Sequence, residues 1–336
     1  LRLKNRTGEY TDRESTDSEE EFSMRRILAA ALCALLLLTA AGCKKEQQAA
    51  PVLAETLSAE AGMRNTILYY QEASGLIVPA MKAIPWEEGI GKAALGNLTA
   101  SAENSEYAQS LGLEPTVPEG VEFGLRILDG GAARVDLRNL PALSSAQQER
   151  NLVTSVVNTL MEFSSVNTVQ ILIEGKELET LPQGMDISRP FGRISMNPET
   201  LAVMGGDSGG NTVELYFPNQ EGTLNVPVTR SLEEEPTLQR AIEELLKGPA
   251  QTDALQSCFP AGTELLGVTV ERGVAIVDFS REFENICEYE NLSVRAVETL
   301  ALTCESFGVP SVQIRVEGKD WDAAVIAPLY ANRFAK

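Results

Sequence analysis

The chain has 336 residues, an apolar content of 43% and a formal net charge of −20, which suits about two domains of ordinary size with real cores. That charge excludes a nucleic-acid binder, which needs a basic footprint, and broad electrostatic attachment to anionic lipid. Histidine is absent, which removes Ser-His-Asp and Cys-His nucleophilic sites and every histidine-containing zinc site.

Residues 1–23 are polar and charged, with Glu19-Glu20-Glu21 near their end and no apolar periodicity. They are expected to be a disordered extension, with translation starting at Met24. Met24-Arg25-Arg26 is a basic opening to the apolar run Ile27–Ala41, fifteen residues long. That is short of the roughly 20 residues a membrane span needs and fits a signal peptide over 24–42. Leu38-Thr39-Ala40-Ala41-Gly42-Cys43 resembles a bacterial lipobox, although Ala40 stands where leucine is usual. The resemblance implies cleavage between Gly42 and Cys43 and lipidation of Cys43, with several acyl chains giving stable anchoring. Residues 43–60, including Lys44 and Lys45, then read as a polar lipidated tether leading off the extracytoplasmic face of the cell membrane.

The first domain is expected over 61–192. Asn65–Tyr70 reads as a strand and Gly75–Met81 as its hairpin partner, with Pro79 confining that partner to an edge. Trp86–Leu98 reads as a helix weakened by Gly89, Gly91 and Gly96. Glu122–Leu128 and Ala132–Leu137 form a hairpin around Asp129-Gly130-Gly131. Ser144 and Gln147 make a capping box for a helix burying Leu152, Val153, Val156, Val157, Leu160 and Met161. Thr168–Glu174 is the last strand, and Met185–Phe191 packs on this domain, Pro190-Phe191 echoing Pro328-Leu329. Residues 193–210, ending in Gly205-Gly206-Asp207-Ser208-Gly209-Gly210, read as a flexible linker.

The second domain is expected over 211–336. Val213–Phe217 and Leu224–Val228 suggest strands. A helix begins at Pro236, with Glu233–Glu235 at its positive end, and stops at Gly248-Pro249. Thr263–Val270 and Val274–Phe279 are strands joined by Glu271-Arg272-Gly273. A helix carrying Leu292, Ala296, Val297, Leu300, Ala301, Cys304 and Phe307 follows, then the alternating strand Ser311–Glu317.

The second domain repeats the first. Pro118-Glu119-Gly120 matches Pro260-Ala261-Gly262, and Ala133–Leu137 matches Ala275–Phe279. Thr168–Lys176 matches Ser311–Lys319, and Asn65–Tyr70 is set against Asn211–Tyr216. A unit of this length is a duplicated domain, too long for a solenoid repeat. The expected class is α/β (α+β), two similar small domains, each a mixed sheet with two helices on one face.

Each unit resembles the GerMN domain. The pattern is Leu215-Tyr216-Phe217, Leu245-Leu246-Lys247-Gly248-Pro249, Pro260-Ala261-Gly262-Thr263 and Val277-Asp278-Phe279-Ser280, then a helix and a strand ending at Gly318. The first copy lacks the Leu-Leu-Lys-Gly-Pro helix end. Signal peptide, lipobox and tandem GerMN domains together resemble the GerM-like sporulation and germination lipoproteins. That resemblance implies domains similar to ring-building motifs and a structural role in a channel complex between mother cell and forespore. It also implies envelope protein partners, sporulation channel components among them, a homo-oligomeric ring, and no catalytic residues or cofactor. The alternative is a regulatory envelope lipoprotein acting on a sensor kinase or cell-wall process. A solute-binding lipoprotein is disfavoured by the short hairpin repeats.

Other candidate residues are weighed against ordinary structural roles. Asp136 and Asp278 end equivalent strands, but no partner acid or base accompanies them, so a turn or helix cap is the expected role. Glu174-Gly175-Lys176 and Glu317-Gly318-Lys319 read as strand-end turns. Glu282, Glu284, Glu288 and Glu290 crowd one loop without calcium-loop spacing, and no metal site is expected. Cys258, Cys287 and Cys304 remain once Cys33 leaves with the signal peptide and Cys43 takes lipid, so at most one bridge forms among them; Cys304 reads as a core residue. Gly89-Ile90-Gly91-Lys92 lacks phosphate-loop spacing.

Overall fold

The computed structural model describes residues 62–199, 210–288, 290–321, 325–328 and 330–332. The signal segment, Gly42, Cys43, the tether and Gly205, Gly206 and Gly209 lie outside the described residues.

In the first repeat, Met63–Glu72 (β1) and Ile77–Pro85 (β2) pair antiparallel, and Leu113–Glu114 (β3) joins the other side of β1. β2 is an edge strand, so the missing N–H of Pro79 breaks no ladder. Ile90–Gly96 (α1) is shorter than expected because Gly89, at φ 86°, cannot continue a helix. Gly91 is useful rather than costly. A Cβ there would stand 3.0 Å from Leu125 Cδ2 and 3.5 Å from Leu160 Cδ2, so glycine lets α1 close onto its neighbours. Ala102–Gln109 (α2) was not legible in the sequence. Its faces are poorly segregated, and it is marked mainly by Ser101, whose hydroxyl accepts the Asn104 N–H at 3.2 Å.

Glu122–Ile127 (β4), Ala132–Arg138 (β5) and Thr168–Ile173 (β6) form a mixed sheet in that order, with β5 and β6 parallel. Ala146–Met161 (α3) makes the crossover and buries Leu152, Val153, Val156, Val157 and Leu160 completely. Its cap lies one residue later than expected. Ser145 accepts the Gln148 N–H, while Gln148 reaches back to the N–H and hydroxyl of Ser144, each at 2.9 Å. Paired serines and paired glutamines make the two registers look alike in sequence.

The second repeat follows the same plan. Thr212–Pro218 (β7) and Asn225–Ser231 (β8) form a hairpin. Leu238–Leu246 (α4) is capped by Thr237, with Pro236 just outside it rather than beginning it. Leu265–Glu271 (β9) and Val274–Phe279 (β10) turn through Arg272 and Gly273, both at positive φ. A 3₁₀ helix, Arg281–Glu288, precedes Glu290–Glu305 (α5), and Ser311–Val316 (β11) returns parallel to β10. Lys319–Asp320 (β12) and Val325–Ile326 (β13) complete the sheet, both pairing with β11.

The class is therefore mixed α/β with two similar halves. Each half holds two small sheets rather than one, because its hairpin makes no ladder with its ββαβ unit. Side chains join them: one continuous apolar core runs through both repeats, including Leu68, Tyr70, Val135 and Leu160 in the first and Leu215, Phe217, Val277 and Leu300 in the second.

The strand pairing corrects the alignment of the two hairpins by one residue. Tyr69 lies opposite Pro79 and Tyr216 opposite Pro227, so Tyr69 corresponds to Tyr216, and the core residues Leu68 and Tyr70 to Leu215 and Phe217. The shared Asn-Thr dipeptide had suggested the neighbouring register, which would turn each strand inside out. The tail echo shifts similarly. Phe191 bridges Val169 where Val325 pairs with Val312, so Phe191 matches Val325 and not Leu329. Arg193–Glu199, which composition placed in a linker, is packed: Ile194 and Met196 are buried, and Glu199 donates its N–H to the Thr229 carbonyl.

Candidate functional site

The two strand-end aspartates hold turns. Asp136 Oδ1 accepts the Gly175 N–H at 2.6 Å, and Asp278 Oδ1 accepts the Gly318 N–H at 3.0 Å. The glutamate before each glycine answers: Glu174 accepts the Asn139 N–H at 2.7 Å and Glu317 the Arg281 N–H at 3.2 Å. Each pair of parallel strands is thus locked at one end by two reciprocal carboxylate bonds. Slight burial pulls the Asp136 pKa upward, but the Gly175 N–H and the Arg138 guanidinium outweigh it and hold the carboxyl below its usual range.

The remaining candidates do not converge. Glu282 and Glu284 are exposed on the 3₁₀ helix, and the side chains of Cys287, Glu288 and Glu290 lie outside the described residues. Among the described residues no group of three or more acidic, cysteine or histidine side chains could hold a metal ion. Cys258 and Cys304 are both buried free thiols whose pKa burial pushes up to about 12, the inert rather than the reactive condition. Gly89-Ile90-Gly91-Lys92 is the entry to α1, where the Lys92 and Ala93 N–H groups donate to the Gly89 carbonyl.

What the sequence did not disclose is the seam between the repeats. β2 and β8 run side by side there, and two buried asparagines stitch them. Asn197 Oδ1 accepts the Ile77 N–H at 2.7 Å, while its Nδ2 donates to the Ile77 and Pro227 carbonyls, both at 2.7 Å. Asn332 Oδ1 accepts the Asn225 N–H at 2.7 Å, and its Nδ2 donates to the Asn225 carbonyl at 2.8 Å and the Pro79 carbonyl at 2.9 Å. Ile77 and Asn225 each stand two residues before the matched prolines, so the two clamps are mates across a pseudo-twofold axis.

Beside the clamps lies a cleft of about 250 Å³, lined from both repeats. On the first-repeat side, Arg193 donates to the Tyr69 hydroxyl and to Glu162 Oε1, both at 2.8 Å, and Tyr69 donates to the same carboxylate oxygen at 2.7 Å. Burial opposes the Arg193 charge, but Tyr69 and Glu162 outweigh it and raise its pKa. Burial, then Glu162, raises that of Tyr69. On the second-repeat side, Tyr216 donates to Glu214 Oε1 at 2.8 Å, and Glu305 lies nearby. Burial raises the Glu214 pKa, and burial together with the Glu214 charge raises that of Glu305. The arrangement is a polar, tyrosine-lined seam with an excess of carboxylates, suited to holding cations and to fixing one repeat against the other.

Comparison with known proteins bears on the whole of this architecture. A family model described as Germane, sporulation and spore germination, matches residues 67–179 and again 214–322. The spore germination protein GerM of Bacillus subtilis (strain 168) is 28% identical over 265 residues, spanning 75% of this chain and 71% of that protein. The solved structure of the tandem GerMN domains of the sporulation protein GerM from Bacillus subtilis superposes with a TM-score of 0.66 at 25% identity, covering 81% of this chain and 100% of that one.

Proposed function

Because the chain belongs to the Germane family of sporulation and spore germination proteins, we propose that it is a lipid-anchored, extracytoplasmic assembly protein. It acts in sporulation or germination by supporting an envelope-spanning channel complex between mother cell and forespore. The observation that carries this reading is the family match over both repeats; the anchoring rests on the resemblance of Met24–Cys43 to a lipoprotein signal. The work is binding rather than catalysis. Asp136 and Asp278, the carboxylates that recur in both copies, are committed to turn N–H groups, which leaves them poor candidates for proton transfer. Its partners are other envelope proteins, met on the strand edges and helix faces of the two domains.

The test is microscopy of a functional fluorescent fusion through growth and sporulation. Enrichment around the engulfed forespore, lost in Cys43→Ala, is the expected result. A uniform membrane signal in growing cells with none gathered at the forespore would overturn the assembly role and favour a regulatory lipoprotein.

A further inference from the structure

Both repeats also line a second cavity, of about 290 Å³, beside the turn of the first hairpin. Its floor is apolar, with Leu76, Ile77 and Ile194 all buried. Its walls are amide and hydroxyl side chains, and Arg150 is the single charged residue among the described residues that line it. The guanidinium is placed but not paired. It donates to Gln147 Oε1 at 2.7 Å. Gln147 Nε2 donates in turn to Asn151 Oδ1 at 2.8 Å, and Asn151 Nδ2 donates to the Gly75 carbonyl and Gln71 Oε1, each at 2.9 Å. Asn151 is buried, so the network is anchored in the core. Arg134, Arg138 and Arg193 of the same repeat each pair with a carboxylate; among the described residues Arg150 pairs with none. One turn further along α3, Thr154 lines the same cavity at 6% exposure, and its hydroxyl has no hydrogen-bond partner among the described residues.

The second repeat shows that this set is not needed to build the fold. Glu162 and Glu305 each stand six residues before the next strand, which sets Arg150 and Thr154 against Ser293 and Val297. Gly222, the mate of Gly75 through the hairpin register, is held instead by Arg295, which donates to its carbonyl at 2.9 Å.

We infer that this cavity is a binding site for a small carboxylate of about amino-acid size, with Arg150 holding its charge and Thr154 donating its hydroxyl. The planar fork of a guanidinium addresses both oxygens of a carboxylate at once. One cation matches a single negative charge, which favours a carboxylate over a phosphate. The volume is near the lower end of small-molecule sites, and an apolar floor with a few polar groups is their usual lining. A buried hydroxyl left without a partner is costly, and a ligand oxygen supplies one. The inference does not depend on the assembly role proposed above.

The experiment titrates the full chain in detergent with N-acetyl-L-alanine at neutral pH and constant ionic strength, followed by calorimetry and melting temperature. N-acetyl-L-alanine amide, which keeps the shape without the charge, is the control. Saturable binding of the acid but not the amide is the expected result. Arg150→Gln should weaken it by about tenfold or more, and Thr154→Val by about threefold to tenfold. Thr154→Val should be at least as stable as the parent without probe, since the hydroxyl it removes has no partner; a merely structural role would lower stability instead. Arg126→Gln, at an exposed position outside the cavity, should bind like the parent. Asp207, which follows cavity-lining Pro198 in sequence, lies outside the described residues, and Asp207→Asn separates an external anion from one the chain supplies. The inference is overturned if the acid does not bind, if the amide binds equally, or if Arg150→Gln binds like the parent. It is also overturned if binding appears only in Asp207→Asn.

Discussion

Asn197 and Asn332 make the same contact from opposite sides of one seam. Each holds the N–H and carbonyl of a strand in its own repeat and donates to a proline carbonyl in the other. Both are buried, at 9% and 4% exposure, so removing either leaves strand groups without partners or water. Asn197→Ala is expected to cost about 2–3 kcal/mol on that account, and Asn332→Ala a similar amount. Calorimetry of the double variant should resolve two transitions where the parent shows one, since the repeats then lose both seam clamps. One cooperative transition in the double variant would show that the apolar core alone couples the repeats.

Sequence reading found the duplication because the repeated stretches are strands and a helix with strong periodicity. Ala133–Leu137 and Ala275–Phe279 keep one alternation, and β5 and β10 pair in the same register with the strands that follow α3 and α5. It missed the seam because nothing local marks it. Asn197 and Asn332 are single polar residues in irregular segments, and the groups they hold are distant in sequence, 120 residues away for Ile77 and 253 for Pro79. Glu162 and Glu305 look like ordinary helix-end charges until the fold sets them against Tyr69 and the β7 hairpin. The one available signal was that the tail after each third strand carries an asparagine, and one alignment step separates noticing it from misplacing it.

The cleft acids set a pH dependence whose sign follows from their environment. The folded-state pKa of Glu305 is raised, first by burial and then by Glu214. The folded chain therefore holds this proton at pH values where the unfolded chain has released it. The stabilisation is full below the ordinary carboxylate range and is lost as pH rises through the folded-state value. Glu305→Gln removes this loss, so its melting temperature relative to the parent should climb over the pH range above the ordinary carboxylate pKa. A constant difference across that range would mean that Glu305 is fully solvated in the native protein.

Gly130 and Gly131 share a turn and a positive φ, 84° and 80°, but not a neighbourhood. A Cβ on Gly130 meets nothing within 4 Å, whereas one on Gly131 would stand 2.5 Å from Asn167 Nδ2 and 3.0 Å from the Ser165 carbonyl oxygen. The Gly131 carbonyl also accepts the Asn167 and Thr168 N–H groups, so the turn cannot drift away. Gly130→Ala should cost about 1 kcal/mol, the penalty of the left-handed backbone alone. Gly131→Ala should cost about 2–3 kcal/mol, because overpacking adds to it. Equal losses in urea titrations would place the turn in a looser conformation than this one.

Asp278 separates a turn-holding role from a chemical one. Its Oδ1 accepts the Gly318 N–H, a bond that an asparagine Oδ1 can also accept. If the residue only holds the strand end, Asp278→Asn keeps nearly all the stability and all the biological function. Asp278→Ala then loses about 1 kcal/mol and nothing else. The same ordering is expected at position 136, where Asp136→Asn also forfeits the 2.7 Å ion pair with Arg138. That pair is open to water and contributes little, within about 1 kcal/mol. The measurement joins chemical denaturation of the four variants to complementation of a strain lacking the gene. A folded Asp278→Asn protein that fails to complement would make the carboxylate itself the functional group and remove the ground for reading both repeats as binding domains.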